Sequence, residues 1–130
     1  MIIDISNEVF TKLKNTLTGI NVVGEYPETI PTFPIVTFSE SSNTTIYDMV
    51  DSSGETHNLI SFEIEIFSNA KNKTTQVKTI RNNIDTVMSD FYGMNRVFSD
   101  KVPNYLDANI YRYMLRYECV VDKNKKIYRR

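Results

Sequence analysis

One long run near the C-terminal end of the chain constrains the fold more than any other feature. Within residues Asn109–Asp122, the odd positions from Tyr111 onward are tyrosine, leucine, cysteine or valine, while the even positions include Arg112, Arg116 and Glu118. Because successive side chains of a strand point to opposite faces, this run predicts a β-strand with one apolar and one charged face. At about 3.3 Å per residue it would extend roughly 46 Å, more than the roughly 36 Å diameter of a compact domain of this size. We therefore expect the strand either to bend strongly or to reach past its own domain, and the latter would favour self-assembly.

A second run, Asn58–Ser68, shows the same alternation. Its apolar positions, which share one face, are Ile60, Phe62, Ile64 and Ile66. Glu63 and Glu65 lie on the other face, as in half-buried antiparallel strands. If the two long strands are neighbours, these carboxylates can lie opposite Arg112 and Arg116. Cross-strand pairs of opposite charge contribute roughly 0.2–1 kcal/mol each, so they would stabilise the pairing.

Two other segments have apolar residues at the three- and four-residue spacing of amphipathic helices. The first segment carries Ile5, Val9, Phe10, Leu13 and Leu17, and the second, Thr74–Phe91, carries Val77, Ile80, Ile84, Val87, Met88 and Phe91. Gly19 and Gly93 follow them, and glycine readily adopts the left-handed conformation that ends a helix. We expect one shared core that includes Ile60, Phe62, Ile64, Ile66, Ile80, Ile84, Val87, Leu115 and Tyr117.

The remaining elements are shorter. Strands are predicted at Ile20–Tyr26, Ile35–Glu40 and Asn95–Ser99, and the polar segment Ser41–Glu55 is predicted to be a loop or hairpin arm that becomes ordered in an assembly. The order α-β-β-(β)-β-α-β-β predicts a single α+β domain over residues 1–130. It would be a two-layer sandwich, with a mostly antiparallel sheet and two helices packed on one face.

Composition narrows the classes of function. The net charge of −1 gives no overall attraction to nucleic acid or to a membrane, and the 41% hydrophobic and 24% charged residues are typical of a globular protein. No apolar run approaches the roughly 18 residues of a membrane span. The N-terminal residues lack the basic and apolar regions of a signal peptide, so we expect a protein assembled in a cytoplasm.

The residues that carry catalytic chemistry are few. His57 and Cys119 are the only histidine and cysteine, and the four glycines do not form a phosphate-binding cluster. We expect Cys119 to be a small buried hydrophobe and His57 to be a solvated residue where a turn enters a strand. Glu63 and Glu65 lie on one face of a strand, as a pair of catalytic carboxylates could. An exposed sheet face or a subunit contact is the better explanation of their position. The sequence thus predicts no enzyme activity, no cofactor and no metal.

The C-terminal tail is basic. Five of its last eight residues are cations, namely Lys123, Lys125, Lys126, Arg129 and Arg130. Such a tail could bind the phosphates of a nucleic acid. A solvated terminus or a protein contact is the favoured interpretation, so no specific nucleic acid is expected as a partner.

Several short segments of the sequence resemble those of the small tail-terminator proteins of long-tailed bacteriophages and tail-like bacteriocins. These proteins are also called tail-completion or tail-to-head joining proteins. The segments are Tyr26-Pro27 with the Phe33–Phe38 stretch, the strand at residues 60–67, the Ile84–Met88 part of the second helix, and Ile110–Tyr117 with Ile127-Tyr128. The resemblance covers nearly the whole chain. It contains no catalytic motif, which agrees with the small number of reactive residues.

The resemblance implies a ring of identical subunits, commonly a hexamer, that caps the tail tube, ends its polymerisation and docks the head or neck. The implied partners are other copies of the chain, the tail tube protein, and a neck, head-completion or sheath protein, all within a virion or tail-like particle. We expect the subunit or tube interface to draw on Glu63, Glu65, Arg112, Arg116, Lys125, Lys126, Arg129 and Arg130. The alternatives are another neck or head-completion component, or a small ring-forming cellular binding protein.

Overall fold

A computed structural model of the chain describes residues 2–24, 32–46, 50–51, 54–55, 57–104 and 107–128. The elements, in chain order, are α1 (Ser6–Thr16), β1 (Asn21–Val23), β2 (Ile35–Thr45), β3 (Val50–Asp51), β4 (Gly54–Glu55), β5 (His57–Ser68), α2 (Lys73–Asp85) with a π-helical turn (Thr86–Phe91), β6 (Asn95–Val102), β7 (Tyr111–Asp122) and β8 (Ile127–Tyr128). One sheet has the order β1-β2-β5-β7-β6, β8 also pairs with β7, and β3 and β4 form a separate hairpin. Every strand pairing among the described residues is antiparallel except that of β1 with β2, which confirms the predicted α+β class.

The two long strands are neighbours in the centre of the sheet. β5 pairs with β7 over twelve residues, from His57 opposite Asp122 to Ser68 opposite Tyr111. Of the two alternatives expected for this strand, reaching past its own domain is wrong, because β5 supplies a backbone partner at every position of β7. The other alternative, a strong bend, agrees with the strong curl of the sheet. A long strand that is fully paired within its own sheet does not indicate self-assembly. Self-assembly has to be inferred from the exposed surfaces of the domain.

The core lies between the helices and one face of the sheet, here called the inner face. Alternate residues of β5 and β7 on this face join buried residues of both helices in one cluster. Phe62 and Tyr117 are its largest fully buried side chains, and all nine residues predicted to share a core belong to it. Cys119 also lies there with 3% exposure, as expected, and burial raises the pKa of its thiol to about 12.

The helix ends agree only in part with the predicted ones. At the start of α1, the Asp4 carboxylate accepts hydrogen bonds from the backbone N–H and the hydroxyl of Ser6, at 2.8 and 2.6 Å. Gly19 and Gly93 adopt φ values of 76° and 73°, as expected after a helix. The π-helical turn was not predicted, and in it the N–H of Tyr92 donates to the carbonyl of Val87, five residues back.

Several strand boundaries differ from prediction. β2 continues to Thr45 across an irregularity between Glu40 and Ser42, so the first five residues of the predicted Ser41–Glu55 loop are strand. Polar side chains are tolerated there because β5 supplies a continuous ladder of backbone partners. β6 continues three residues past its predicted end, to Val102. The predicted β1 end at Tyr26 lies outside the described residues.

Candidate functional site: the outer face of the sheet

The face of the sheet turned away from the inner face, here called the outer face, is the candidate site. Its central part consists of three cross-strand rows, read from β6 through β7 and β5 to β2. The rows are Phe98, Arg116, Glu63 and Ser39; Asp100, Met114, Glu65 and Thr37; and Val102, Arg112, Phe67 and Ile35. The sheet thus brings together the four charged residues of the long strands that the sequence predicted to face one another.

Two ion pairs cross from β7 to β5 on the outer face. Arg112 holds Glu65 with two hydrogen bonds, Nη2 to Oε1 at 2.8 Å and Nε to Oε2 at 3.2 Å. Arg116 Nη2 lies 3.5 Å from Glu63 Oε2 in a more exposed pair. The hydrogen bonds that Arg112 donates to Glu65 raise the pKa of Arg112, against the opposing effect of burial. Both arginines therefore already have a carboxylate partner within their own chain.

Aromatic rings support these ion pairs. The Arg112 guanidinium lies 5.8 Å from the ring centre of Phe67, and that of Arg116 lies 5.8 Å from the ring of Phe98. Phe67 and Ile35 point away from the helices and are nevertheless buried, whereas Phe98 is 38% exposed. The outer face is therefore a mixed apolar and charged surface rather than the purely charged one that the sequence predicts.

Within the described residues, Lys125 and Lys126 of the basic tail do not join the outer-face ladder. Lys125 donates to Glu8 Oε1 of α1 at 2.8 Å, which raises the pKa of the lysine, and Lys126 lies 5.6 Å from the ring of Tyr128. Lys125 thereby ties the turn after β7 to α1, because its partner is a helix residue. Arg129 and Arg130 lie outside the described residues.

A small hydrogen-bonded group fixes β8 against β5 and β7. The Tyr128 hydroxyl lies 3.1 Å from Nε2 of His57 and donates to Oδ2 of Asp122 at 3.4 Å. The other oxygen of Asp122 accepts the backbone N–H groups of Asn124 and Lys126, and the Lys126 bond is the largest cause of its lowered pKa. His57 is the first residue of β5, as expected, and it is half-buried with its ring at right angles to Tyr128, so it is less solvated than the sequence predicts.

Asp85 forms a second polar group that sequence reasoning missed. Its Oδ1 accepts the buried Tyr117 hydroxyl at 2.7 Å and the Ser89 hydroxyl at 2.9 Å, and it lies 3.1 Å from Arg96. Burial raises the pKa of Asp85, but these three partners outweigh it and hold the pKa below its usual value. Burial raises the pKa of the Tyr117 hydroxyl, and its hydrogen bond to Asp85 raises it further. This group joins the π-helical turn to β6 and β7, and its geometry is that of a structural anchor.

The two ion pairs should differ in strength. In double-mutant cycles with alanine at both partners, we expect a coupling energy of about 1 kcal/mol for Arg112 with Glu65 and a smaller one for Arg116 with Glu63. The first pair is shorter, makes two hydrogen bonds and is less exposed, with side-chain exposures of 31% and 15% against 42% and 27%. Chemical denaturation of the single and double variants measures both energies. Equal couplings, or the opposite order, would contradict the described geometry.

Searches against protein-family models and against curated proteins give no match to this chain. The described residues contain no group of three or more histidine, cysteine, aspartate or glutamate side chains placed to hold a metal ion. Among the helices of the described part, none is long and apolar enough to cross a membrane.

Proposed function

We propose that the chain is a structural protein that assembles into a ring on the head-proximal end of a phage tail or tail-like particle. The ring ends the polymerisation of the tail tube and offers a docking surface to the head or neck. The observation that carries the proposal is the outer face itself. Both helices pack on the inner face, and the outer face displays ordered ion pairs and partly exposed rings of the kind that suit a protein contact. The sequence resemblance to tail terminators supports the same assignment.

The centre of the outer face can be covered without leaving an arginine unpaired. Its two arginines are already paired with carboxylates, so a partner that covers them buries two ion pairs rather than two lone cations. Phe98 adds a 38% exposed ring at the β6 side, where aromatic residues are favoured contact groups. The backbone beneath is rigid, because β7 is hydrogen-bonded to β5 on one side and to β6 on the other.

The backbone hairpin of β3 and β4 is a second candidate for a contact in the assembly. The backbone N–H of Ile46 donates to the carbonyl of His57 at 3.0 Å, which continues the β2–β5 ladder towards the hairpin. The hairpin has two residue pairs, Val50 with Glu55 and Asp51 with Gly54. A two-stranded hairpin of this size is marginally stable by itself, so contact with a neighbouring subunit or with the tube would stabilise it.

The experiment that tests the proposal is deletion of the gene, with tail length and head joining as the measured properties. Without the protein, tube polymerisation loses its stop and we expect tails of irregular, increased length that do not join heads. Tails of normal length that still join heads would contradict the proposal.

A further inference from the structure

The two sides of the domain carry opposite charge. On the outer face of β5, β6 and β7, the carboxylates are Glu63, Glu65, Asp100, Glu118 and Asp122, and the cations are Arg112 and Arg116. With His57 neutral, these groups leave an excess of three negative charges. Among the described residues, Asp100 and Glu118 form no salt bridge, so two of these three negative charges remain available to a partner.

The opposite side of the molecule is basic where α2 begins. Residues 71–81 contain four cations, Lys71, Lys73, Lys78 and Arg81, and no acidic residue. Lys71 and Lys78 are exposed, the first turn of α2 has no acidic side chain, and no side chain of the described residues caps its N-terminus. Cations at this end of a helix oppose the helix dipole, so the arrangement is locally unfavourable. An acidic surface placed against it would compensate for that cost.

We propose that the acidic outer face of one copy docks on the basic segment at residues 71–81 of the next copy, which comprises the turn before α2 and the first part of that helix. The inference rests on the proposed function and assigns the subunit contact of the ring. The two surfaces lie on opposite sides of the same two-layer domain, since α2 packs on the inner face. A contact between two different surfaces is heterologous, and it closes into a ring when the rotation from one subunit to the next is a whole fraction of a full turn. Charge complementarity then selects the front-to-back orientation and disfavours face-to-face pairing of two acidic surfaces.

Two charge-reversed variants test the contact. The face variant is Asp100→Lys with Glu118→Lys, and the helix variant is Lys71→Glu with Lys78→Glu. Each variant alone places like charges at every contact, so we expect its self-association to weaken at least about tenfold relative to the wild type. An equimolar mixture restores opposite charges at every contact of an alternating assembly, so we expect the association to return. Native mass spectrometry and sedimentation measure both, with thermal unfolding to show that each variant is folded.

A matched control separates a specific contact from overall charge. Lys14→Glu with Lys123→Glu changes the net charge by the same amount as the helix variant, at exposed positions in α1 and after β7. We expect this control to associate like the wild type, and the wild-type association to weaken as salt is raised.

Several results would overturn the inference. They are a face or helix variant that associates like the wild type, a mixture that does not recover, a control that fails as the helix variant does, and a wild-type chain that stays monomeric at the highest concentration reached. None of these results decides the proposed function, because the tail-length measurement does not depend on which surfaces touch. Normal tail termination by the two variants would remove this interface and leave the function in place.

Discussion

Replacing Ile64 by alanine is expected to lower the free energy of unfolding by about 2–5 kcal/mol, the range measured for such truncations in well-packed cores. Ile64 is fully buried at the centre of β5, opposite Phe38 of β2 and Leu115 of β7. The substitution removes buried methyl groups and leaves a cavity in the layer between sheet and helices. Because strands on both sides hold the backbone, the site has little freedom to collapse around the smaller side chain.

Leu59→Ala is the matched control for this prediction. Leu59 lies on the same strand but on the outer face and is 38% exposed, so its truncation should cost less than about 1 kcal/mol. Chemical denaturation of both variants and the wild type gives the comparison, provided that the denaturant dependence stays constant. A loss below about 0.5 kcal/mol for Ile64→Ala would show that the assigned core is wrong.

Asp85→Ala should destabilise the fold by roughly 2–4 kcal/mol, because hydrogen bonds to a charged group are strong and a buried hydroxyl without a partner is costly. The substitution leaves the Tyr117 hydroxyl without its 2.7 Å acceptor and removes the 3.1 Å contact of Arg96. It also removes the hydrogen bond by which Ser89, in the π-helical turn, donates to the same carboxylate. Tyr117→Phe is the control with the smaller expected loss, about 1 kcal/mol, because Asp85 keeps its other partners.

The effect of Asp85 should depend on pH in a defined direction. Since its folded-state pKa is lowered, its stabilising contribution is present above the unfolded-state pKa of about 3.9 and is lost as the pH falls through the folded-state pKa. The stability difference between the wild type and Asp85→Asn should therefore shrink below about pH 4, relative to its value near neutrality. Chemical denaturation across this range measures it. A difference that does not change with pH would show that ionisation of Asp85 does not contribute.

Much of the fold follows from side-chain periodicity. The alternation of apolar residues along β5 and β7 predicts these strands correctly because one face of each strand is buried in the core. The three- and four-residue spacing predicts α1 and α2 correctly for the same reason. The pairing of Arg112 and Arg116 with the β5 carboxylates also follows, since opposite charges on the outer positions of neighbouring strands come within reach.

Other features have no such local signal. The contact of Asp85 with Tyr117 joins residues 32 apart in sequence, and that of His57 with Tyr128 joins residues 71 apart. Both depend on tertiary packing that no short pattern encodes. The extension of β2 through Ser41–Thr45 was missed because these polar residues have little apolar alternation, and their pairing is decided by the backbone of β5. The sequence likewise gives no signal for the π-helical turn or the cis peptide bond between Phe33 and Pro34.

Measuring tail lengths by electron microscopy in the presence and absence of the gene tests the central claim most directly. The deletion strain is compared with the same strain carrying the gene on a plasmid, so that any change is assigned to this protein. If the protein ends tube polymerisation, the deletion should give a broad distribution of over-long tails without heads, and the plasmid should restore the narrow distribution and head joining. Tails of normal, uniform length that join heads in the deletion strain would show that the protein is not the terminator.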